Sequence, residues 1–310
     1  MAEITCLGIL VADLVGKPVD EFPGRGKLVL VDQLELHSGG CAANTGVALA
    51  KIGISTGVIG KVGSDGLGDF MVDVLTKNGI DPLGIVRDPK VGTSGTMVMV
   101  HGDGERSFIH YLGANAALTE DDVDFDMIEG TKILHVAGSF LMPAIDGEPT
   151  AHVLKKAQAR GITTTLDTAW DSKGRWMSVL EPCLPYVDYA VPSIEEARMV
   201  TGKHEPADVA KALMDHGVKV VGLKMGEDGC YIRSADEEIR IPIYKVNAVD
   251  ALGAGDAFAA GFLTGILKGW DLEKTGRFAN AVGALCVMAL GATTGIKSLD
   301  ETLAFVTANS

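Results

Sequence analysis

Apolar residues along the chain fall into short dense runs separated by stretches with a helical period. Residues 4–11 form an apolar run broken only by Thr5, Cys6 and Gly8, as a buried strand does. Residues 28–36 alternate loosely, like an exposed strand with one covered face. Gly39-Gly40-Cys41-Ala42-Ala43-Asn44-Thr45-Gly46 then feeds a helix of small and apolar residues that stops at Gly53. Residues 56–61 read as a strand. Phe70, Met71, Val74 and Leu75 mark the buried stripe of the next helix, with Ser64 or Asp65 as its cap and Gly79 as its stop. Residues 96–100 and 106–110 flank His101-Gly102-Asp103-Gly104-Glu105, a hairpin pattern with glycines at turn positions.

From there the rhythm is regular. Strands are expected at 133–136, 162–166 (ending at Asp167), 186–191 and 218–225, with Cys230-Tyr231-Ile232 following the last. Helices are expected at 149–160 and 206–216, stopped by Gly161 and Gly217. Pro242 makes residues 239–246 an edge or irregular strand. Two helices, 253–268 and 272–290, precede a last one that runs to about residue 307 behind the Ser298/Glu301 capping box.

Strands alternating with helices of this length imply an α/β fold, a mostly parallel central sheet covered by helices on both faces. The hairpin interrupts that alternation and belongs with strand 28–36 in a small separate sheet. Gly113-Ala114-Asn115 returns the chain to the main layer. Asp13, residues 39–44, 193–196, 226–229 and 250–256 all follow expected strands or open helices, which collects them on one edge of the sheet.

The densest chemistry lies in Asp250-Ala251-Leu252-Gly253-Ala254-Gly255-Asp256. Glycines at a helix start leave backbone N–H groups open to an anion, and Asp256 in the first turn puts a carboxylate beside them. Such an Asp is either a proton acceptor or only a helix cap. The stretch is neither a P-loop, because no Gly-Lys-Ser/Thr follows, nor a dinucleotide fingerprint, because the glycine spacing differs. Asn44 in an apolar helix is either a ligand contact or a satisfied core amide. Asp13 is either a ligand carboxylate at a strand end or a turn residue.

Composition narrows the partners. Forty-one acidic against 27 basic residues give a formal charge of −14 over 310 residues, which disfavours nucleic acid and anionic membranes. No charged-then-apolar leader and no membrane-length apolar run stand out, so a cytoplasmic setting is expected. The five cysteines lack metal-ligand spacing and read as reduced core thiols.

At this point the whole chain resembles the ribokinase-like (PfkB) family of carbohydrate and nucleoside kinases. Gly39-Gly40 with Asn44 is similar to that family's amino-terminal signature, and Asp250-x-x-Gly253-Ala254-Gly255-Asp256 matches its carboxy-terminal one. The resemblance implies an αβα sandwich over residues 1–310 with a small β lid from segments 16–37 and 93–112. It also implies MgATP as donor and a sugar hydroxymethyl group as acceptor, ribose, fructose or a related sugar. Asp256 would then be the catalytic base, and Gly253, Ala254 and Gly255 the anion hole. Asp13, Gly39, Gly40 and Asn44 would hold the sugar, while Arg106 and His110 either reach it from the lid or stay solvated or packed within the lid. Ser193, Lys224, Gly226, Gly229 and Asn280 would line the nucleotide, and Glu196 would organise Mg²⁺ through water. Asp250 and the Leu252 carbonyl, with the 291–295 loop, would form a monovalent-cation site for K⁺. Three positions depart from the family pattern: Ser193 replaces an Asn, Ala251 a Thr, and Val11 an Asn found in several members. Two alternatives stay open: a nucleoside kinase, for which Phe22, Phe108 and Tyr111 are the base-stacking candidates, and a catalytically silent sensor. A homodimer through the lid is a further expectation.

Overall fold

The architecture comes from a computed structural model that describes residues 1–103 and 105–309, so the turn residue Gly104 and the terminal Ser310 lie outside the described residues. Strand β1 (Ile4–Gly8) and strand β8 (Ile133–Ser139) are buried at every position. Strands enclosed on both faces lose the polar–apolar alternation of half-exposed ones, which is why their sequences are mostly apolar, with Thr5, His135 and Ser139 as buried polar exceptions. They sit inside a nine-stranded sheet of order β13-β12-β11-β10-β9-β8-β1-β4-β5. Here β4 is Thr56–Gly63, β5 Ile85–Asp88, β9 Thr163–Thr168, β10 Tyr189–Ala190 and β11 Val220–Lys224. These run parallel, while β12 (Cys230–Arg233) and β13 (Glu238–Ile241) close one edge antiparallel. Pro242, without an N–H, falls just past the end of that edge strand.

Helices cover both faces. One apolar core lies under α3 (Glu148–Gln158), α5 (Ile194–Thr201) and α6 (Pro206–Asp215) and includes Leu154, Ala197 and Leu213. The other lies under α1 (Cys41–Ile52), α2 (Gly66–Lys77), α7 (Ala254–Leu267) and α8 (Leu272–Val287) and includes Leu49, Met71, Leu263 and Phe278. Short α4 (Met177–Leu180) precedes α5, and α9 (Leu299–Ala308) starts at the capping box expected from Ser298 and Glu301. This is an αβα sandwich with a small lid, the ribokinase-like architecture.

The lid is a four-stranded sheet of order β3-β2-β6-β7: Gln33–Gly39, Val11–Lys17, Gly95–Val100 and Arg106–Tyr111. Two expectations change here. The apolar run 4–11 is not one strand. A side chain on Gly8 would place its Cβ 1.9 Å from the Ala137 carbonyl oxygen, so β1 passes tight against β8 and ends there. The Asn115 side chain then takes the Leu10 N–H at 3.1 Å and the Leu10 carbonyl at 3.0 Å, ending the main-sheet ladder and turning the chain into the lid. Asp13 therefore lies on β2 in the lid sheet, opposite His37, rather than at the end of a central strand. The strand expected at 28–36 lies at 33–39, set by its seven-residue pairing with β2.

Candidate active site

Helix α7 begins where Gly253 adopts φ 76°, and a Cβ there would come within 2.5 Å of the Ala292 Cβ. Only glycine meets both demands at this position. Helices α2, α5, α8 and α9 are capped by the side chains of Asp65, Ser193, Asp271 and Ser298. Neither α7, behind Gly253, nor α1, behind Gly40, has a side-chain cap. Helices α1 and α7 pack together, and their first turns meet where Asn44 reaches Asp256.

Asp256 Oδ2 accepts a hydrogen bond from Asn44 Nδ2 at 2.8 Å, and the Thr45 hydroxyl donates to the Asp256 carbonyl at 3.4 Å. Burial pushes the Asp256 carboxyl above its usual range, against the opposing pull of Asn44, the Lys224 ammonium and the Cys41 thiol. The two readings of Asn44 both hold in part. Its amide is spent on Asp256, while its buried Oδ1 has no partner and is open to a donor such as a ligand hydroxyl.

Lys224 ends β11, and its Nζ lies 3.4 Å from where a Cβ on Gly255 would be, directly over the glycine turn. It is held there by Asp167 at 2.6 Å. Burial raises the Asp167 carboxyl to about 7 despite that neighbour, and nearby Glu196 adds to the rise. Burial opposes the Lys224 charge, but Asp167, Glu196 and Asp256 together keep the ammonium above its ordinary value. Ser193 bridges to Lys224 across the sheet and opens α5. The Glu196 Oε2 accepts from the Ser193 N–H at 3.3 Å and the Thr168 hydroxyl at 2.8 Å. Ser193 thus acts through a reciprocal capping box that aims Glu196.

At the other end of the cleft Asp13 is 7 % exposed, and burial raises its carboxyl to about 6, against the Thr96 hydroxyl and His37. A Cβ on Gly39 would sit 2.0 Å from Asp13 Oδ2, and one on Gly40, at φ 90°, would sit 2.4 Å from the Ile9 carbonyl oxygen. Gly39 is needed for Asp13 to lie where it does, and Gly40 for α1 to start against the Ile9 backbone. His110 Nδ1 is 3.1 Å from the Thr96 hydroxyl, and burial lowers its pKa.

The other expected site residues make the following contacts. Asn280 lies in α8, and its Nδ2 donates to the carbonyls of Ile241 at 3.2 Å and Pro242 at 3.1 Å. That bond fixes the edge strand, so this amide is not a free nucleotide donor. Gly226 (φ 58°) and Gly229 (φ 84°) shape the turn after Lys224, and a Cβ on Gly229 would lie 2.1 Å from the Ile241 carbonyl oxygen. Arg106 is spent on an ion pair with Asp250. A cavity of about 140 Å³ lies between lid residues Val15, Val98 and Arg106 and body residues Asp250, Leu252 and Gly291. Phe22 joins Leu14, Leu34 and Met97 around a groove on the outer face of the lid. Strand alternation puts Tyr111 on that outer face with Ile109 and Met97, which leaves Phe108 alone among the base-stacking candidates. Cys41, Asp167 and Thr168 had no role assigned from sequence. A polar residue at a strand end, as Asp167 is, was the only available signal.

Comparison with known proteins agrees with this fold. The model of the pfkB family carbohydrate kinases matches residues 1–299. The chain is 31% identical over 273 residues to fructokinase-2 of Oryza sativa subsp. japonica, covering 82% of this chain and 80% of that one. It is 28% identical to 2-dehydro-3-deoxygluconokinase of Bacillus subtilis over 87% of this chain and 86% of the other. Among solved structures, a fructokinase with bound ATP from Xylella fastidiosa superposes with a TM-score of 0.86 at 25% identity, over 99% of both chains. The αβα sandwich, the β lid and the Asp256-bearing glycine turn thus stand in a chain that belongs to the pfkB family of carbohydrate kinases.

Proposed function

We propose that this protein transfers the γ-phosphoryl group of MgATP to a hydroxymethyl group of a sugar, ribose, fructose or a related sugar. The observation that carries the reading is the convergence of a raised-pKa carboxylate, Asp256, a lysine and an uncapped glycine helix start within one cleft. Asp13 and the free Oδ1 of Asn44 orient the sugar so that its hydroxymethyl oxygen lies against Asp256. The oxygen attacks the γ-phosphorus, the bond to the β-phosphate bridging oxygen breaks, and the hydroxyl proton passes to Asp256. Sugar phosphate and MgADP leave, and the proton goes to solvent. A carboxyl held above its usual range is a better base near neutral pH than an ordinary Asp. The N–H groups of the 253–255 turn and Lys224 meet the charge that grows on the transferred phosphoryl oxygens.

Mg²⁺ fits the donor set: Glu196 Oε2 is committed to the cap and Thr168, which leaves Oε1 for a metal-bound water. Bound to ATP, the ion would supply neutralisation of phosphate charge. K⁺ at Asp250 does not fit. Asp250 already accepts from Leu252 N–H and Gly291 N–H, each at 2.8 Å, and carries the Arg106 guanidinium. The Cys286 thiol faces the Leu252 and Ala292 carbonyls at 3.6 and 3.1 Å.

We also assign the outer lid face to a second copy of this chain. Leu28, Leu34 and Met97 are exposed there around one groove, more apolar surface than a lone lid usually leaves to water.

The test is ADP release from ATP against pentoses, ketohexoses, aldonates and nucleosides. Sugar-dependent release with equimolar sugar phosphate supports the reading. Release driven only by nucleosides would replace it with the nucleoside-kinase alternative, and release by none would leave the silent sensor.

A further inference from the structure

The lid and the glycine turn are joined by one buried ion pair. Arg106 opens lid strand β7, and its Nη2 donates to Asp250 Oδ1 in the loop that leads into α7. The Asp250 side chain is 3% exposed and that of Arg106 22%. The same carboxylate holds Leu252 N–H, one residue before Gly253, and Gly291 N–H in the loop after α8. Those two loops touch through Gly253 and Ala292, where no side chain could be added at Gly253. Asp250 therefore ties three segments together: the lid, the turn that opens α7, and the loop behind it.

The Arg106 guanidinium and the two N–H groups already offset the charge of this carboxylate, and the guanidinium repels a further cation placed beside it. We infer that Arg106 supplies, from the lid, the fixed positive charge that the loops behind the glycine turn require, in place of a monovalent cation. Arg106 is a positioning residue. Closing the lid over a substrate sets the guanidinium on Asp250 and holds the turn in its anion-binding geometry. Lid opening withdraws the charge and loosens the turn, so the phosphoryl-binding N–H groups are in place only when the acceptor is enclosed. This couples water exclusion to the assembly of the site. The inference rests on the kinase reading for its rate measurements, but not for the binding measurement below.

Three proteins are compared: wild type, Arg106→Lys and Arg106→Ala. Wild-type turnover is expected to be equal in K⁺ and in choline at matched ionic strength. Arg106→Ala should lose about tenfold or more in kcat, with KM for ATP changed far less, because the anion hole is misplaced rather than removed. Low millimolar guanidinium or K⁺ should restore part of that rate in a saturable way, while leaving wild type unmoved. Arg106→Lys should fall between the two. Independently of turnover, K⁺ against choline should raise the melting temperature of Arg106→Ala and not that of wild type. Wild-type turnover or melting that rises in K⁺, or an Arg106→Ala variant that keeps its kcat or answers to neither cation, would overturn the inference. If no acceptor is found, the kinase reading fails while the melting comparison still decides whether Arg106 excludes K⁺.

Discussion

The two ends of the cleft are built in opposite ways. The end proposed to hold the phosphoryl group is made of rigid parts. α7 is buried from Ala257 to Gly265, its start is wedged against Ala292, and Lys224 is clamped by Asp167. The end proposed to hold the sugar is half lid. Asp13 and Arg106 ride on a four-stranded sheet whose other face carries exposed Leu34, Met97 and Ile109. Its ties to the body include the Asn115 amide on the Leu10 backbone, Thr93 on Asp65 and Gly63, and Arg106 on Asp250. The anion site, completed from the lid when Arg106 meets Asp250, serves every acceptor alike, because the phosphoryl group does not change. Selection among acceptors can then reside in the movable half, which also sets when the anion site is complete.

Breaking the rigid end should cost most. Lys224→Met removes a charge over the glycine turn and is expected to lower kcat by about 10²–10³-fold. It also leaves Asp167 buried without its cation, so its folded pKa rises above the value of about 7 it has now. A carboxyl whose folded pKa exceeds its unfolded one costs nothing below the unfolded pKa, and its penalty grows as pH rises towards the folded pKa. The variant should therefore lose more melting temperature relative to wild type at pH 8 than at pH 6. Equal losses would mean that the pair is not electrostatically coupled.

Asp13→Asn probes the sugar end. The carboxyl of Asp13, raised to about 6, is a liability to the fold that is absent below about pH 4 and complete above pH 6. The variant should gain about 1–3 kcal/mol of stability at pH 7, little at pH 4, and raise KM for the sugar far more than KM for ATP. A KM effect on ATP alone would move Asp13 out of the sugar site. The smallest effect is expected on the outer lid face. Leu34→Glu should convert a dimer to a monomer in sedimentation while changing kcat by less than about threefold. A wild type that sediments as a monomer would remove the second copy from that face.

The same contrast explains what could be read from the chain. Caps, stops and alternation are local, so the Ser298/Glu301 box, the edge strand before Pro242 and the α7 turn were all legible from a few neighbouring residues. Helix α5 was hidden because its eight residues are short for a period, although its Ser193/Glu196 box was in plain view. The break in the first apolar run was hidden because it depends on Asn115, 105 residues away. Lys224 and Asp256 were placed by resemblance, but the partners that tune them, Asp167, Asn44 and Cys41, meet only after the sheet forms. In the sequence, the role of Arg106 stays open between the sugar and the lid itself, because position on a lid strand says which sheet a residue belongs to, not which carboxylate it reaches 144 residues on.

The most direct test of the central claim is Asp256→Asn, with turnover and ligand binding measured on the same preparation. The account predicts that sugar and ATP affinities stay within a few fold while kcat falls by about 10²-fold or more, because proton acceptance is lost and the Asn44 contact and the backbone donors remain. Near-normal turnover in that variant would contradict it.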